Sequence, residues 1–355
     1  MEFELIRLGA RAELGPEQAQ AFHDLAAGAL DWDRVLSLGA HHRVLPLLYV
    51  HLRDYAEHVP ADVFEALRTY VQQSTVHVLF LTAETARIAH RFEADGVPFL
   101  VLKGPSLAKA YGSVGKRPFV DIDLLISRES FPLVERALLD LDFNERKRSG
   151  AQQSAYLSVH GEYTFGRQKD GFASTVDVHT RLVPFGLSYA PSFDHVLSRS
   201  RDLEAGGATV PVLSWEDLFL ALAVNALKDQ WNRLRLATDL AEVGGLVEDW
   251  EAVRDRARRD GALRTLYLGV LVASGAVGAT FPPSLLDDAR RDRRAVLLAR
   301  DVEGYLVTSG RDTSRTWAER VRLNTLVQDG PRGWLRYASY AAARRLSEPF
   351  ADPRR

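Results

Sequence analysis

Apolar residues recur at three- and four-residue spacing through 25–38 and 44–55, the period of a helix with one buried face. A longer stretch of the same kind runs over 63–94 through Leu81, Ile88 and Phe92. Asp95 and Gly96 end it, glycine being suited to the position just past a helix. The texture changes at 97. Residues 97–102 form a short unbroken apolar run, which predicts a buried strand; 103–106 predicts a turn and 107–111 a short helix. Residues 120–126 alternate acidic and apolar positions at their start and predict a second strand, followed by a helix over 131–141. Strands are expected at 156–165 and 174–179, with another at 208–213. At Ser214 the helical period returns, opened by a capping pair with Asp217 in which Asp replaces the usual Glu or Gln. Helices are expected at 215–229, 233–246, 249–259, 262–274, 284–307, 315–327 and 331–346. The chain therefore divides into a helical region over 1–95, an α/β core over 96–213 and a second helical domain over 214–355, which makes the expected class α+β.

Composition narrows the function classes. The chain has 355 residues, 46% hydrophobic and 26% charged, the balance of a soluble globular protein of two or three subdomains. That excludes a disordered tail, a collagen-like chain and a disulfide scaffold. With 45 Lys+Arg against 47 Asp+Glu, the net charge of -2 lacks the overall basicity usual for a duplex-DNA binder, although local basic patches remain open. Cysteine is absent, so disulfides, zinc–thiolate sites and cysteine nucleophiles are excluded. Only six basic residues are Lys (103, 109, 116, 147, 169 and 228), which makes each of them a residue to examine. The opening residues lack the basic start and apolar run of a secretory signal. Residues 265–286 carry no charge and are long enough to span a bilayer, but Gly269, Gly275, Gly278, Pro282 and Pro283 interrupt them. A buried helix ending near Gly275 and then a turn is expected there, and the protein is expected to be cytoplasmic with no membrane partner.

Candidate chemistry concentrates in 103–126, KGPSLAKAYGSVGKRPFVDIDLLI. Asp121 and Asp123 are two apart on an expected strand, so both carboxylates project from one face. Like charges so close repel unless a cation lies between them, and Mg²⁺ is the hard cation that takes carboxylate and phosphate oxygens. Upstream, Gly104, Pro105 and Ser106 lead from a strand into a helix, whose free N–H groups suit phosphate. Gly112 and Ser113 form a second pair of the same type, but Gly104 directly follows a strand and precedes a helix.

The ordered KG, R and DIDLLI segment resembles the DNA polymerase β-like nucleotidyltransferase superfamily. More narrowly it is similar to the bacterial uncharacterised nucleotidyltransferase family, and more distantly to abortive-infection-type toxin nucleotidyltransferases. HRVLPLLY at 42–49, VDVHTRL at 176–182 and WNRLRLATDL at 231–240 fit the narrower family, so the resemblance covers most of 20–260. It implies a small mixed sheet with helices, flanked by N- and C-terminal helical regions. It also implies transfer of a nucleoside monophosphate from an NTP, ATP being the first candidate, to an acceptor hydroxyl or phosphate with release of pyrophosphate. Asp121 and Asp123 match the motif that binds two Mg²⁺ ions, with Mn²⁺ as an alternative. Asp177 is the candidate third carboxylate and proton acceptor, with Val176 and Val178 on the opposite, core-facing side of its strand.

The same resemblance gives roles to further residues. Gly104 matches the first glycine of the phosphate motif and Ser106 its hydroxyl donor. Pro105 departs from the usual Gly or Ser and has no N–H to donate. Lys103 and Arg117 are candidates for the phosphates and for neutralising the acids. His179, two after Asp177, is a candidate for positioning the acceptor. Lys228, Arg233, Arg235 and Asp239 would lie on a helix lining the cleft: Lys228 or Arg235 on phosphates, Asp239 on base, ribose or acceptor. Trp231 is either a base-stacking or a core residue. His160, Asp177 and His179 are zinc-type ligands without the spacing of a zinc site. Arg332, Arg336, Arg344, Arg345, Arg354 and Arg355 give the C-terminal end a local positive excess. The acceptor stays open among a small molecule, a peptide, a protein hydroxyl and a tRNA end. The alternative function is a nucleotide-binding sensor or scaffold on the same fold with little turnover, to which Pro105 points.

Overall fold

The computed structural model describes residues 1–145, 161–169, 171–183, 186–310 and 314–347. It is α+β, with a mixed sheet set among helices. The N-terminal region holds α1 (Glu2–Leu8), α2 (Pro16–Ala26), α3 (Trp32–His42), α4 (Leu45–Leu52) and the long α5 (Ala61–Ala94). Next come β1 (Phe99–Val101), α6 (Gly104–Ala110), β2 (Ile122–Ile126), α7 (Phe131–Asp140), β3 (Asn144–Glu145), β4 (Glu162–Lys169) and β5 (Phe172–His179). A short α8 (Phe193–Leu197) leads to the hairpin of β6 (Arg201–Ala205) and β7 (Ala208–Val212). The C-terminal helices are α9 (Trp215–Lys228), α10 (Leu234–Gly244), α11 (Trp250–Asp260), α12 (Leu263–Val277), α13 (Pro283–Arg291), α14 (Arg293–Thr308), α15 (Trp317–Leu326) and α16 (Pro331–Ser347).

The strand order among the described residues is β3-β4-β5-β2-β1-β7-β6. β2 runs parallel to β5 and antiparallel to β1, and β1 runs parallel to β7. Alternation along these strands builds two cores, because successive side chains point to opposite faces. Phe99, Val101, Ile122, Leu124, Ile126, Val176 and Val178 face one way and pack with Val78, Leu81, Ile88 and Phe92 of α5. Leu100 and Leu125 face the other way and join a core shared by the N-terminal helices and α9 to α14. Asp123 alternates with Leu124 and Asp177 with Val176 and Val178, so both acids stand on the face turned to the C-terminal helices.

The structure departs from expectation at several elements. The helix expected over 284–307 is broken at Asp292, whose carboxylate accepts the Arg294 and Ala295 N–H groups at 2.9 and 3.0 Å and starts α14 afresh. Apolar periodicity continues across the break and conceals it. Strand β6 had no apolar run to mark it: Arg201, Asp202 and Glu204 are three of its five residues, and it lies on a sheet edge. The short helix starts at Gly104, earlier than its apolar residues indicate, with Pro105 in its first turn, where a missing N–H costs nothing. The strand expected over 156–165 is seen from Glu162; positions 156–160, His160 among them, lie outside the described residues.

The uncharged stretch over 265–286 behaves as expected. α12 ends at Val277, Gly278 takes the left-handed cap at φ 69°, and Pro283 starts α13. Among the described residues, no helix is long and apolar enough to cross a membrane. Ser214 caps α9 by accepting the Asp217 N–H at 3.2 Å.

Candidate active site

Parallel pairing of β2 and β5 sets Asp123 opposite Asp177 in register. Their side chains therefore rise side by side from neighbouring strands about 5 Å apart. Asp121 lies just before β2. β1 ends one strand over, and Lys103 follows it with its ammonium 3.7 Å from an Asp123 oxygen. His179, at the end of β5, places Nε2 3.0 Å from the other Asp123 oxygen. The Thr164 hydroxyl on β4 donates to Asp177 at 2.6 Å. Gly104 lines this group, and an added Cβ there would press on the Phe119 ring at 3.2 Å.

The three acids do not share one electrostatic state. Burial pushes the Asp121 carboxyl up to about 6, and the Asp123 and Asp177 charges push the same way. Burial also raises Asp123, but Lys103 and the His179 hydrogen bond outweigh it and hold that carboxyl well below the usual range. Burial and the neighbouring Glu162 charge raise Asp177 against the Thr164 hydrogen bond. One wall thus carries a firmly ionised carboxylate flanked by two more basic ones.

The C-terminal helices supply the rest of the cavity, a cleft of about 250 Å³. α9 ends at Lys228, and Arg233 precedes α10, which carries Arg235 and Asp239. The start of α10 is fixed by His42, whose Nδ1 accepts the Leu234 N–H at 3.1 Å. That ring is fully buried, and burial with the His41 and Arg233 charges pushes its pKa down to about 3, so it stays neutral and able to accept. Arg43 follows in the left-handed region at φ 57° and lines the same cleft. Arg43, Lys228, Arg233 and Arg235 form no ion pair among the described residues. Burial pushes Arg235 down to about 9, with the Arg117 guanidinium adding to it.

Arg117 and Asp239 are committed to each other. Arg117 donates to both Asp239 oxygens at 2.7 and 2.8 Å, and the Tyr111 hydroxyl donates to the same carboxylate at 2.7 Å. This fork joins the loop before β2 to α10. The expected parts for Arg117 against the metal-site acids and for Asp239 on a free ligand are thus taken up by a structural pair at the cleft floor.

The residues singled out from the sequence converge. Lys103, Gly104, Arg117, Asp121, Asp123, Asp177, His179, Lys228, Arg235 and Asp239 all line this one cavity, although they span 137 positions of the chain. Ser106 does not reach it: its side chain is fully buried and its hydroxyl has no partner, because its helix turns it toward the core. Gly112 and Ser113 lie in a turn off the cavity wall. Trp231 is a core residue with no exposed surface. Arg336 donates to the Asp260 carbonyl at 2.9 Å, while Arg354 and Arg355 lie outside the described residues. Three charged cavity residues carried no signal of their own in the sequence: Arg43, Glu162 and Asp229. Arg43 lies within the 42–49 segment, but nothing there brings a helix end to a strand end some 80 residues on.

The donor set suits a hard cation: hydroxyl-free carboxylates, mutually repelling, with their charge balanced here by Lys103 and His179. Among the described residues, no three of His, Asp and Glu are grouped closely enough to cage a metal by themselves. Mg²⁺ does not require such a cage, since it is usually held by one or two carboxylates together with substrate phosphates.

Comparison with known proteins bears on this arrangement. A family model described as uncharacterised nucleotidyltransferase matches residues 28–278, which include every cavity residue. Comparison with curated proteins gives no match. Among solved structures, the chain is similar to an antigenic nucleotidyltransferase-like protein from Paracoccidioides brasiliensis, at 12% identity and a TM-score of 0.35, over 59% of this chain and 97% of that one.

Proposed function

The chain belongs to the uncharacterised nucleotidyltransferase family, and from that premise we propose that the cleft transfers a nucleoside monophosphate from an NTP to an acceptor, releasing pyrophosphate. One observation carries the reading. Asp121, Asp123 and Asp177 meet, in a single cavity, the unpaired cations Arg43, Lys228, Arg233 and Arg235. Carboxylates suit the metal that accompanies a triphosphate, and the cations suit the triphosphate itself.

Asp121 and Asp123, with Asp177, would hold two Mg²⁺ ions, or Mn²⁺ in their place. When bound, the metal supplies charge neutralisation at the α-phosphate and at the attacking oxygen. The chain's own residues do the remaining work. Lys103, displaced from Asp123, lies within reach of the phosphates. Arg43 and Arg235 orient the β- and γ-phosphates and stabilise the departing pyrophosphate. The acceptor oxygen forms a bond to the α-phosphorus as the bond from that phosphorus to the bridging oxygen breaks. Its proton passes to Asp177, whose raised basicity suits a proton acceptor. His179, bonded to Asp123, fixes that carboxylate's orientation while the cleft is empty. ATP is the first NTP to test.

The test is pyrophosphate release from each NTP with Mg²⁺ over a panel of hydroxyl- and phosphate-bearing acceptors. Asp121→Ala and Asp123→Ala should each fall to background while circular dichroism remains that of the folded protein. Full activity in either variant would defeat the assignment. Tight NTP binding with no turnover across the panel would instead indicate a nucleotide sensor.

A further inference from the structure

A second cavity, about 390 Å³, opens beside the first and shares Lys228, Asp229 and Arg233 with it. The divider is the turn between α9 and α10. Gln230 and Trp231 there hold φ of 58° and 53°, a region disfavoured for a non-glycine residue. The surroundings fix the turn in that shape. Trp231 is fully buried, the Gln230 side chain donates to the Leu227 carbonyl at 2.9 Å, and the Gln230 carbonyl accepts from Arg315 Nε at 3.0 Å.

The walls are cationic and incompletely satisfied. Lys228, Arg233, Arg315 and Arg320 face one acid, Asp229. Arg315 is buried, with a side chain 2% exposed, set over the Tyr305 ring at 4.2 Å and bonded through Nη1 to Asp301 at 3.1 Å. Its other terminal nitrogen, Nη2, has no partner. Two more residues of the same wall carry buried orphans, His41 at Nε2 and Asn232 at Oδ1. Burial and the Arg233 charge lower the His41 pKa against a hydrogen bond to the Asn232 backbone. A buried donor left unpaired is costly, and Arg315 Nη2 on this wall is one that an anion's oxygen would complete.

Building on the transferase reading, we propose that this second cavity is the acceptor's phosphate subsite: the acceptor is a phosphate-bearing molecule whose anion rests on Arg315 and Arg320 while its reactive oxygen reaches the metal-site acids across Lys228 and Arg233. Planar guanidinium groups recognise phosphate oxygens by paired donors, and Arg315 has such a donor unused. The NTP does not need this cavity, since Arg43, Arg235 and Lys103 already line the first. In-line displacement places the acceptor and the leaving pyrophosphate on opposite sides of the α-phosphorus, so an anionic acceptor needs a site apart from that of the pyrophosphate. Two sources of phosphate fit, a small phosphate ester and a nucleotide strand. Trp317, 73% exposed and one turn before Arg320 on α15, offers a face on which a strand's base could stack.

The experiment titrates inorganic phosphate and, separately, a short single-stranded RNA into the full-length protein, free and saturated with Mg²⁺ and a non-hydrolysable NTP. Both probes should bind with the NTP in place, and Arg320→Glu should weaken both by about tenfold or more while NTP affinity holds. Trp317→Ala should weaken the RNA alone if the acceptor is a strand, and neither probe if it is a small ester. Displacement of the probes by the NTP analogue, or binding indifferent to Arg320→Glu, would overturn the subsite. A wild type that binds the NTP but neither probe would overturn it too, while leaving the transferase reading intact. A wild type that binds phosphate but no NTP would overturn the transferase reading and leave the cavity an anion site.

Discussion

Asp121 and Asp239 are both cleft carboxylates, and their surroundings give them opposite energetic signs. Asp121 has its carboxyl raised to about 6, so between the ordinary value of 3.8 and 6 the folded chain binds more protons than the unfolded one. Its contribution to stability therefore falls as pH rises through that window and stays lower above it. Metal-free Asp121→Asn should be more stable than wild type at pH 8, by about 1–2 kcal/mol after solvent screening. The two should be equal near pH 3.5; urea unfolding at the two pH values checks this. Asp239 is held low against burial by the Arg117 guanidinium, and Tyr111 adds a hydrogen bond. Asp239→Asn leaves Arg117 buried against a neutral partner and should cost about 3 kcal/mol or more. Replacing both by apolar residues, Arg117→Met with Asp239→Leu, should recover much of it. If Asp239→Asn left the unfolding midpoint unchanged, the structural reading of this pair would be wrong.

Helix α10 shows how one element sets the site. It carries Arg235 and Asp239 into the cleft, and its first turn is tied to α3 through His42. A histidine whose folded pKa is pushed from 6.5 to about 3 must charge when it unfolds in mild acid. Its contribution is complete above pH 6.5 and is lost as pH falls toward 3, by about 3 kcal/mol at pH 4. His42→Gln should flatten that slope, read as the difference in unfolding free energy between pH 7 and pH 4; an unchanged slope would show that His42 is not the group that titrates. Elements were legible in the sequence where burial is one-sided. The strands at 97–102 and 174–179 and most C-terminal helices show it in their periods. β6 was illegible because an edge strand of Arg, Asp and Glu buries little, and the break at Asp292 because capping by a side chain leaves no mark on apolar spacing.

At the scale of the whole molecule, the site is a seam. The sheet turns its acidic face to the C-terminal helices, and the same helices share a core with the N-terminal region, so three distant stretches of chain meet at one cleft. The acids were legible because D-x-D and VDVH sit on strands whose alternation gives each side chain a face. Among the cavity's cations, Arg43 was not. Arg43 reaches the cleft only because the end of α3 is bonded to the start of α10, and Glu162 only because β4 pairs with β5; those are tertiary facts. Ser106 shows the converse, a motif residue that helix geometry turns inward. The most direct measurement is calorimetric titration of each of the four NTPs, with and without Mg²⁺, into wild type and into Asp121→Asn/Asp123→Asn. The account predicts that at least one NTP binds wild type with a requirement for Mg²⁺, and that the double variant loses this binding while staying folded. Equal binding by the double variant, or no binding of any NTP by wild type, would contradict it.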